Sequence, residues 1–223
     1  DYLAVTFMES GWDTKSLVKE IVLSRTYKQV SEANPEVFRA DPENRALARG
    51  SRFRMDSEMI RDQVLVTSGM LNEDMFGKSV KPPQPKGLWK SVGMPSSYPR
   101  EYVPDEGDEV YRRSVYTFWK RGMPPPQMTI LNAPSREACI ARRERTNTPL
   151  QALLLLNEQE YLKAARHLGL QVLGNSNAKR DDRLTMVYET ITSALPDAQE
   201  KATLQKALAD LIALYQGQPE LAE

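Results

Sequence analysis

The sequence predicts a mainly α-helical domain of several helices, with a short central β element and a long, ordered, proline-rich loop. Apolar residues recur at helical spacing in the first third of the chain and again in its last quarter. Prolines and glycines concentrate in residues 72–110, where they exclude long helices. A run of β-branched and aromatic residues follows at 114–119, and such a run favours a strand.

The first third of the chain predicts three helices. Asp13 is expected to cap the first, which ends at Asn34-Pro35. Asp41-Pro42 places proline at a first helical position and predicts a short helix through Arg49. Residues 57–71 predict the third helix. Its predicted buried face consists of Ile60, Val64, Thr67 and Leu71.

The proline-rich loop of residues 72–110 is predicted to be an ordered wrap. Disordered segments are poor in aromatic residues, whereas this one contains Trp89, Tyr98 and Tyr102 as expected anchors. Its prolines include Pro95 and Pro99, and its end, residues 105–109, holds four acids in five residues.

Residues 111–147, which we call the arginine-rich junction, carry the predicted β element. The first strand covers residues 114–119 and ends before Pro124, and residues 128–131 form a second. Thr148, Pro149 and Gln151 then match a capping box with proline at the first helical position. One continuous helix is expected from there, with a stripe formed by Leu150, Leu153, Leu154, Tyr161, Ala165 and Leu168.

The C-terminal residues 174–223 predict a helical hairpin. Pro196 separates two amphipathic segments, and Asp197 with Glu200 is expected to cap the second. The loop of residues 174–177 suggests a boundary between a main domain, residues 1–173, and this hairpin, packed on the same core.

Composition excludes several classes of site. One cysteine and one histidine exclude an internal disulfide, a CxxCH haem attachment and a multi-thiolate zinc site, so we expect no metal and no cofactor in this chain. Apolar runs such as Leu153–Leu156 are far below a membrane span. A net charge of zero and a pI near 6.9 argue against nucleic acid as a partner.

The arginine-rich junction holds the best ligand-binding candidates. From Tyr111 to Thr146 there are eight basic and two acidic residues, a net charge of eight minus two, +6. Guanidinium forks suit carboxylate, sulfate or phosphate. The candidates are Arg112, Arg113, Arg136, Arg142, Arg143, Arg145, Asn147 and Trp119. The alternative is structural, with the arginines paired to Glu137, Glu144 and the acids of residues 105–109.

Other candidates have their own alternatives. Glu58 and Asp62, four residues apart on one helix, suit an acid–base pair or else ion pairs with Arg45, Arg49 or Arg61. Cys139, between Ala138 and Ile140, is predicted to be a small core residue. His167 is expected near the end of its helix, where positive charge suits the helix dipole.

Long motifs resemble one bacterial family. RRSVYTFWKR, PPPQM and APSREACIARRERTNTPLQALLLLN, with GWDTKSLVKEIVLSRTY, DPENRALARG and SEMIRDQVLVTSGML earlier, resemble the planctomycete-specific domain one family, a domain of unknown function. The likeness extends to about residue 166. Asn132 stands where the family tends to carry an aspartate, and the family usually continues beyond this chain's end, so we expect a longer natural domain.

The resemblance implies a larger extracytoplasmic protein, periplasmic or secreted, often with a cytochrome c-like region upstream. The chain's partners would then include other domains of the same polypeptide. The arginine cluster, independently of the resemblance, suggests an anionic polysaccharide as a second partner. Two functions follow as hypotheses: a non-catalytic binding or scaffolding module that contacts anionic or sulfated glycan, or a hydrolase or redox-enzyme domain that uses carboxylates with the arginine cluster.

Overall fold

The structure is a computed structural model that describes residues 1–32, 34–92, 96, 100–174 and 179–218. The chain divides into two compact units, Asp1–Arg54 and Met55–Glu223. The described residues are mainly α-helical, as predicted, and their β structure is limited to isolated bridges. The helices are α1 (Tyr2–Glu9), α2 (Thr14–Leu23), α3 (Pro35–Ala40), α4 (Ser57–Thr67), α5 (Leu88–Val92), α6 (Pro126–Ile130), α7 (Pro149–Asn157), α8 (Gln159–Gly174), α9 (Arg180–Thr192) and α10 (Ala198–Gly217).

The first unit contains α1, α2 and α3. The Asp13 carboxylate caps α2 by accepting the N–H groups of Lys15 and Ser16, as predicted. Asn34-Pro35 does not end this helix, which stops at Leu23. Instead, Asn34 caps α3, where proline takes the first position.

The short helix predicted from Asp41-Pro42 is wrong. Asp41 ends α3, and its carboxylate accepts the N–H groups of Arg45 and Ala46 at 2.9 and 2.8 Å in a turn. Asn44 and Leu47 adopt left-handed backbone conformations, with φ of 55° and 53°, which a right-handed helix excludes.

In the second unit, α4 buries a different face from the predicted one. Ser57, Arg61, Leu65 and Ser68 are buried, whereas the predicted apolar set is only half-buried. The face is displaced because the Arg61 side chain is fully buried and hydrogen-bonded there. Gly69 ends the helix with a φ of 71°, and a Cβ at this position would lie 2.7 Å from the Gln171 amide nitrogen.

The proline-rich loop runs along the segment that follows it. Val80 is fully buried, and its backbone exchanges hydrogen bonds with Tyr116 and Phe118 at 2.8 and 2.7 Å. Trp89 is 5% exposed and packs its ring 5.1 Å from that of Tyr102. The Tyr102 hydroxyl donates to the Pro82 carbonyl at 2.6 Å. These contacts match the predicted aromatic anchors, although Pro95, Tyr98 and Pro99 lie outside the described residues.

The predicted central β element is wrong. Residues 114–116 form a 3-10 turn, and most of residues 128–131 belong to α6. Side chains of α4 occupy the backbone groups that a strand would pair: Asp62 accepts the Ser114 N–H at 2.7 Å, and Arg61 donates to the Arg112 carbonyl at 2.9 Å. Pro126 supplies the fixed φ that starts α6.

The long helix predicted from Pro149 is two helices. The chain leaves helical geometry at Glu158, with φ −66° and ψ 128°, so α7 and α8 change direction there. Of the predicted stripe, only Tyr161 and Leu168 are buried; Ala164 and Val172 complete the buried face of α8. Leu150 and Leu153 are both 56% exposed.

The C-terminal helices α9 and α10 contact each other, and α9 contacts α8. Asp197 and Glu200 form the predicted capping box, with bonds of 2.7 and 2.8 Å. Residues 175–177 of the expected loop lie outside the described residues, and the boundary near residue 174 stays a prediction. No described helix is both long and apolar enough to cross a membrane.

Candidate functional site

Arg112 is buried and serves the fold. Its guanidinium donates to the carbonyls of Asp74, Phe76 and Lys78 and lies 4.0 Å from the centroid of the Tyr116 ring. These bonds fasten the start of the proline-rich loop to the arginine-rich junction. Because only 6% of Arg112 is exposed, its donors face protein carbonyls rather than solvent.

Arg61 and Glu160 form the polar centre of the second unit. Two bonds join them, Nη2 to Oε1 at 2.6 Å and Nε to Oε2 at 2.9 Å. Arg61 also donates to the carbonyls of Val110 and Arg112. Sequence reasoning treated Arg61 only as a partner for Glu58 or Asp62 and missed Glu160. One signal of a buried Arg61 was available in the sequence. The small residues Ser57 and Ser68 lie on the same helix face, which leaves room for a long side chain.

Glu58 binds an arginine of the junction. Arg143 donates to both Glu58 oxygens, at 2.6 and 3.2 Å, and its Nη1 lies 3.6 Å from an Asp56 oxygen. Burial by itself would raise the pKa of Glu58, but bonds from Arg143, its own backbone N–H and Ser57 outweigh burial and lower that pKa. Glu58 is therefore held ionised.

Asp62, the second candidate acid, is also engaged by protein, because it accepts the Ser114 backbone N–H. Each of the two carboxylates thus holds a different segment of the junction against α4. The two carboxylates lie close together on one helix, but both are bonded to other parts of the protein. They do not form an acid–base pair that is available in a shared cleft.

Three of the predicted ligand-binding arginines meet at one cavity. Arg142, Arg143 and Arg145, with Asp56 and Ala141, line a space of about 300 Å³. Three positive charges against one negative charge give this lining a net formal charge of +2. Guanidinium groups converging on a small cavity suit an oxyanion.

The remaining candidates lie elsewhere. Arg136 packs its guanidinium 4.3 Å from the centroid of the Trp119 ring, whose N–H donates to the Ser135 carbonyl. Arg113 and Asn147 are exposed and do not line the arginine cavity. The predicted ligand-binding arginines therefore do not form one cluster. Arg112 is buried and bonded to backbone carbonyls, Arg136 packs on the Trp119 ring, and Arg142, Arg143 and Arg145 line the cavity.

The helix start beside the cavity is a complete capping box. Thr148 accepts the Gln151 N–H at 3.4 Å, and Gln151 accepts the Thr148 N–H at 3.1 Å. Gln151 is 1% exposed and its amide also donates to the Ile130 carbonyl at 2.9 Å and the Thr146 hydroxyl at 3.1 Å. This side chain joins α7 to the end of α6.

Cys139 is exposed, so its predicted place in the core is wrong. Its neighbours Ala138 and Ile140 are exposed as well, because residues 135–142 lie at the surface. His167 lies in the middle of α8, where its Nδ1 is 2.6 Å from the Ser68 carbonyl. A carbonyl only accepts, so Nδ1 carries the proton.

Within the described part of the chain, no three His, Cys, Asp or Glu side chains are grouped as a metal site would require. His167 shares a cavity of about 450 Å³ with Asp108 and Tyr111, which supplies one imidazole and one carboxylate.

Comparison with known proteins identifies the chain at the level of family. No curated protein matches the sequence, and no solved structure matches the fold. A family model described as PSD1, protein of unknown function (DUF1553), matches residues 1–208. The capping box, the arginine-rich junction and the buried Arg61–Glu160 pair all fall inside this range. The chain therefore belongs to the PSD1 family.

Proposed function

We propose that this chain is a non-catalytic binding or scaffolding module of a larger extracytoplasmic protein and contacts anionic or sulfated glycan. The observation that carries the proposal is the arginine cavity, where Arg142, Arg143 and Arg145 line one space of about 300 Å³. Its volume lies at the lower end of the range of about 300–1,000 Å³ typical of small-ligand sites, which is enough for a sulfate or carboxylate group on a longer chain.

The orientation of Arg143 supports this use. Its two-point contact with Glu58 fixes the guanidinium before any ligand arrives, so less side-chain entropy is lost on binding. The same contact neutralises much of its charge. Arg142 and Arg145 are both exposed and add their guanidinium groups to the lining of the cavity.

The scaffolding part of the proposal rests on how the polar side chains are used. Arg112 holds three carbonyls of the proline-rich loop, Arg61 joins α4 to α8, and Glu58 and Asp62 each hold the junction. The alternative, a hydrolase or redox-enzyme domain, needs carboxylates available to a substrate. These two carboxylates have protein partners, which favours the module.

Thermal unfolding at low salt tests the proposal with three probes: inorganic sulfate, inorganic phosphate and a sulfated polysaccharide. We expect the polysaccharide to raise the Tm most, and the increase to disappear above about 0.3 M NaCl, because the contact is electrostatic. Arg142→Gln with Arg145→Gln should abolish the increase.

The matched control is Arg113→Gln with Arg121→Gln, which removes two exposed charges from the same junction outside the cavity. It should retain the increase in Tm. An unchanged Tm with all three probes, or an equal loss in both double variants, would refute the anion site.

A further inference from the structure

The break between α7 and α8 has no local cause in the sequence. Residues 150–168 contain neither proline nor glycine and follow a helical pattern, yet the helix stops at Asn157 and restarts at Gln159. Places where strong local propensity is overridden are often functional. The three residues at the break, Asn157, Glu158 and Gln159, all line one cleft of about 770 Å³.

This cleft is built from the proline-rich loop and the helix break. Its volume falls within the range of about 300–1,000 Å³ typical of small-ligand sites. Trp89, Tyr102 and three prolines contribute apolar wall, while the helix break contributes carboxylate and carboxamide groups. None of its lining residues belongs to the arginine cavity.

Glu158 is the main polar group of the cleft. It is half-buried, and no basic side chain of the described residues lies within ion-pair distance of it. Burial raises the pKa of Glu158; the Glu160 backbone N–H opposes that rise and the Glu160 charge adds to it. Apart from the Glu160 N–H, this half-buried carboxyl group has lone pairs that can accept further donors.

Neighbouring groups favour an uncharged ligand. Lys86 and Lys90 offset Glu101 and Glu158, so the net formal charge of the lining is zero. The Asn157 amide nitrogen donates to the Leu153 carbonyl at 2.8 Å, which leaves its oxygen to accept. The Lys120 ammonium lies 4.9 Å from the centroid of the Trp89 ring, and the Trp89 N–H donates to Gln84. Because its N–H is already bonded, Trp89 contributes apolar surface to the cleft rather than a hydrogen bond to a ligand.

We propose that this cleft binds a neutral saccharide. Hydroxyl groups of the sugar donate to the Glu158 carboxylate and the Asn157 amide oxygen, and the C–H face of the ring packs on the apolar wall near Tyr102. The helix break places Asn157, Glu158 and Gln159 on the lining of this cleft. The site is independent of the anion contact proposed for the arginines.

The indole N–H of Trp89 is the reporter for a direct test by NMR. The chain has three tryptophans, so Trp12→Phe and Trp119→Phe assign the Trp89 resonance by elimination. The probes are hexasaccharides of β-1,4-linked glucose, xylose and mannose. We expect at least one of them to shift the Trp89 resonance and leave that of Trp12, in the first unit, unchanged.

Variants then locate the contact. Glu158→Ala should raise the Kd about tenfold or more, since a bond to a charged group is lost. Glu158→Gln keeps the side-chain volume and should raise Kd about fivefold; it carries the test if the alanine variant is misfolded. Glu189→Ala, at an exposed position on α9, is the control and should leave Kd unchanged.

Three results would overturn the proposal. The first is that no hexasaccharide shifts the Trp89 resonance at millimolar concentration. The second is that the Glu158 variants bind as tightly as the original protein. The third is that Arg142→Gln with Arg145→Gln abolishes binding while Glu158→Gln does not, which would place the saccharide at the arginine cavity.

Discussion

Arg61 and Glu160 form a buried, two-point ion pair between α4 and α8, 99 residues apart in the sequence. Arg61 is 0% and Glu160 6% exposed. Arg61 also donates to the Val110 and Arg112 carbonyls, and Gln127 donates to Glu160 at 3.3 Å. Four segments of the second unit thus meet at one pair of side chains.

Removing one member of this pair should be strongly destabilising. Arg61→Met leaves the Glu160 carboxylate buried without its cation, and we expect a loss of about 3–5 kcal/mol in the free energy of unfolding. Urea unfolding followed by circular dichroism measures it. The control is Lys206→Ala, which breaks an exposed pair with Asp210 and should cost under about 1 kcal/mol. Similar losses in both variants would show that Arg61 contributes no more than a surface charge.

Glu58 should make stability depend on pH in the acidic range. Its pKa is lower in the folded protein than its ordinary value of 4.5, so ionised Glu58 stabilises the fold above that value. The contribution is lost as the pH falls through the lowered pKa. Glu58→Gln should therefore be less stable than the original protein at pH 7, by a few tenths to about 1 kcal/mol. The difference should shrink towards pH 3, and a difference independent of pH would contradict the role of Arg143.

The two capping boxes provide a matched comparison. Gln151→Ala removes a cap and leaves the Ile130 carbonyl and Thr148 N–H, both in part-buried bonds, without this partner, which should cost about 2–3 kcal/mol. Asp197→Ala removes the exposed box of α10 and should cost about 1 kcal/mol. Thermal and urea unfolding of both variants measure the difference. Equal costs would mean that the additional bonds of Gln151 contribute nothing.

Cys139 should react as a surface thiol. Because its side chain is exposed, we expect Ellman's reagent to label the native protein at a rate within a few-fold of the rate in urea. His167→Gln should not change the rate, since that imidazole, on α8, is hydrogen-bonded to the Ser68 carbonyl at the end of α4. A native rate slower by a hundredfold or more would indicate a buried thiol.

Local cap signals in the sequence were reliable at three of the four positions where they were used, and failed at Asp41-Pro42, where the side chain holds a turn instead. The caps at Asp13, Thr148 and Asp197 were all predicted and are all present, because capping is a contact over three residues. The aromatic anchors Trp89 and Tyr102 were predicted from composition. Their partners were not, because a ring does not specify the surface on which it packs.

Errors arose where distant groups competed with local propensity. The β-rich residues 114–119 form no strand: Ser114 gives its backbone N–H to Asp62 of α4, residues 114–116 make a 3-10 turn, and pairing is limited to an isolated bridge between Thr117 and Val80. The helix expected through residue 168 breaks at Glu158 without any breaker residue. The sequence predicted one basic cluster in the arginine-rich junction, because charges were summed along the chain. In the structure Arg112 is buried and does not line the cavity.

The sequence by itself determined the helical class, the caps at Asp13, Thr148 and Asp197, the family, and the exclusion of multi-cysteine sites and of a CxxCH haem attachment, since these depend on short spacings or on composition. Tertiary structure alone decided that Arg61 pairs with Glu160, that Arg143 pairs with Glu58 rather than Glu137 or Glu144, and which arginines share a cavity. The physical reason is that burial makes each charge take the partner that packing brings within reach, and packing joins residues that sequence spacing cannot relate.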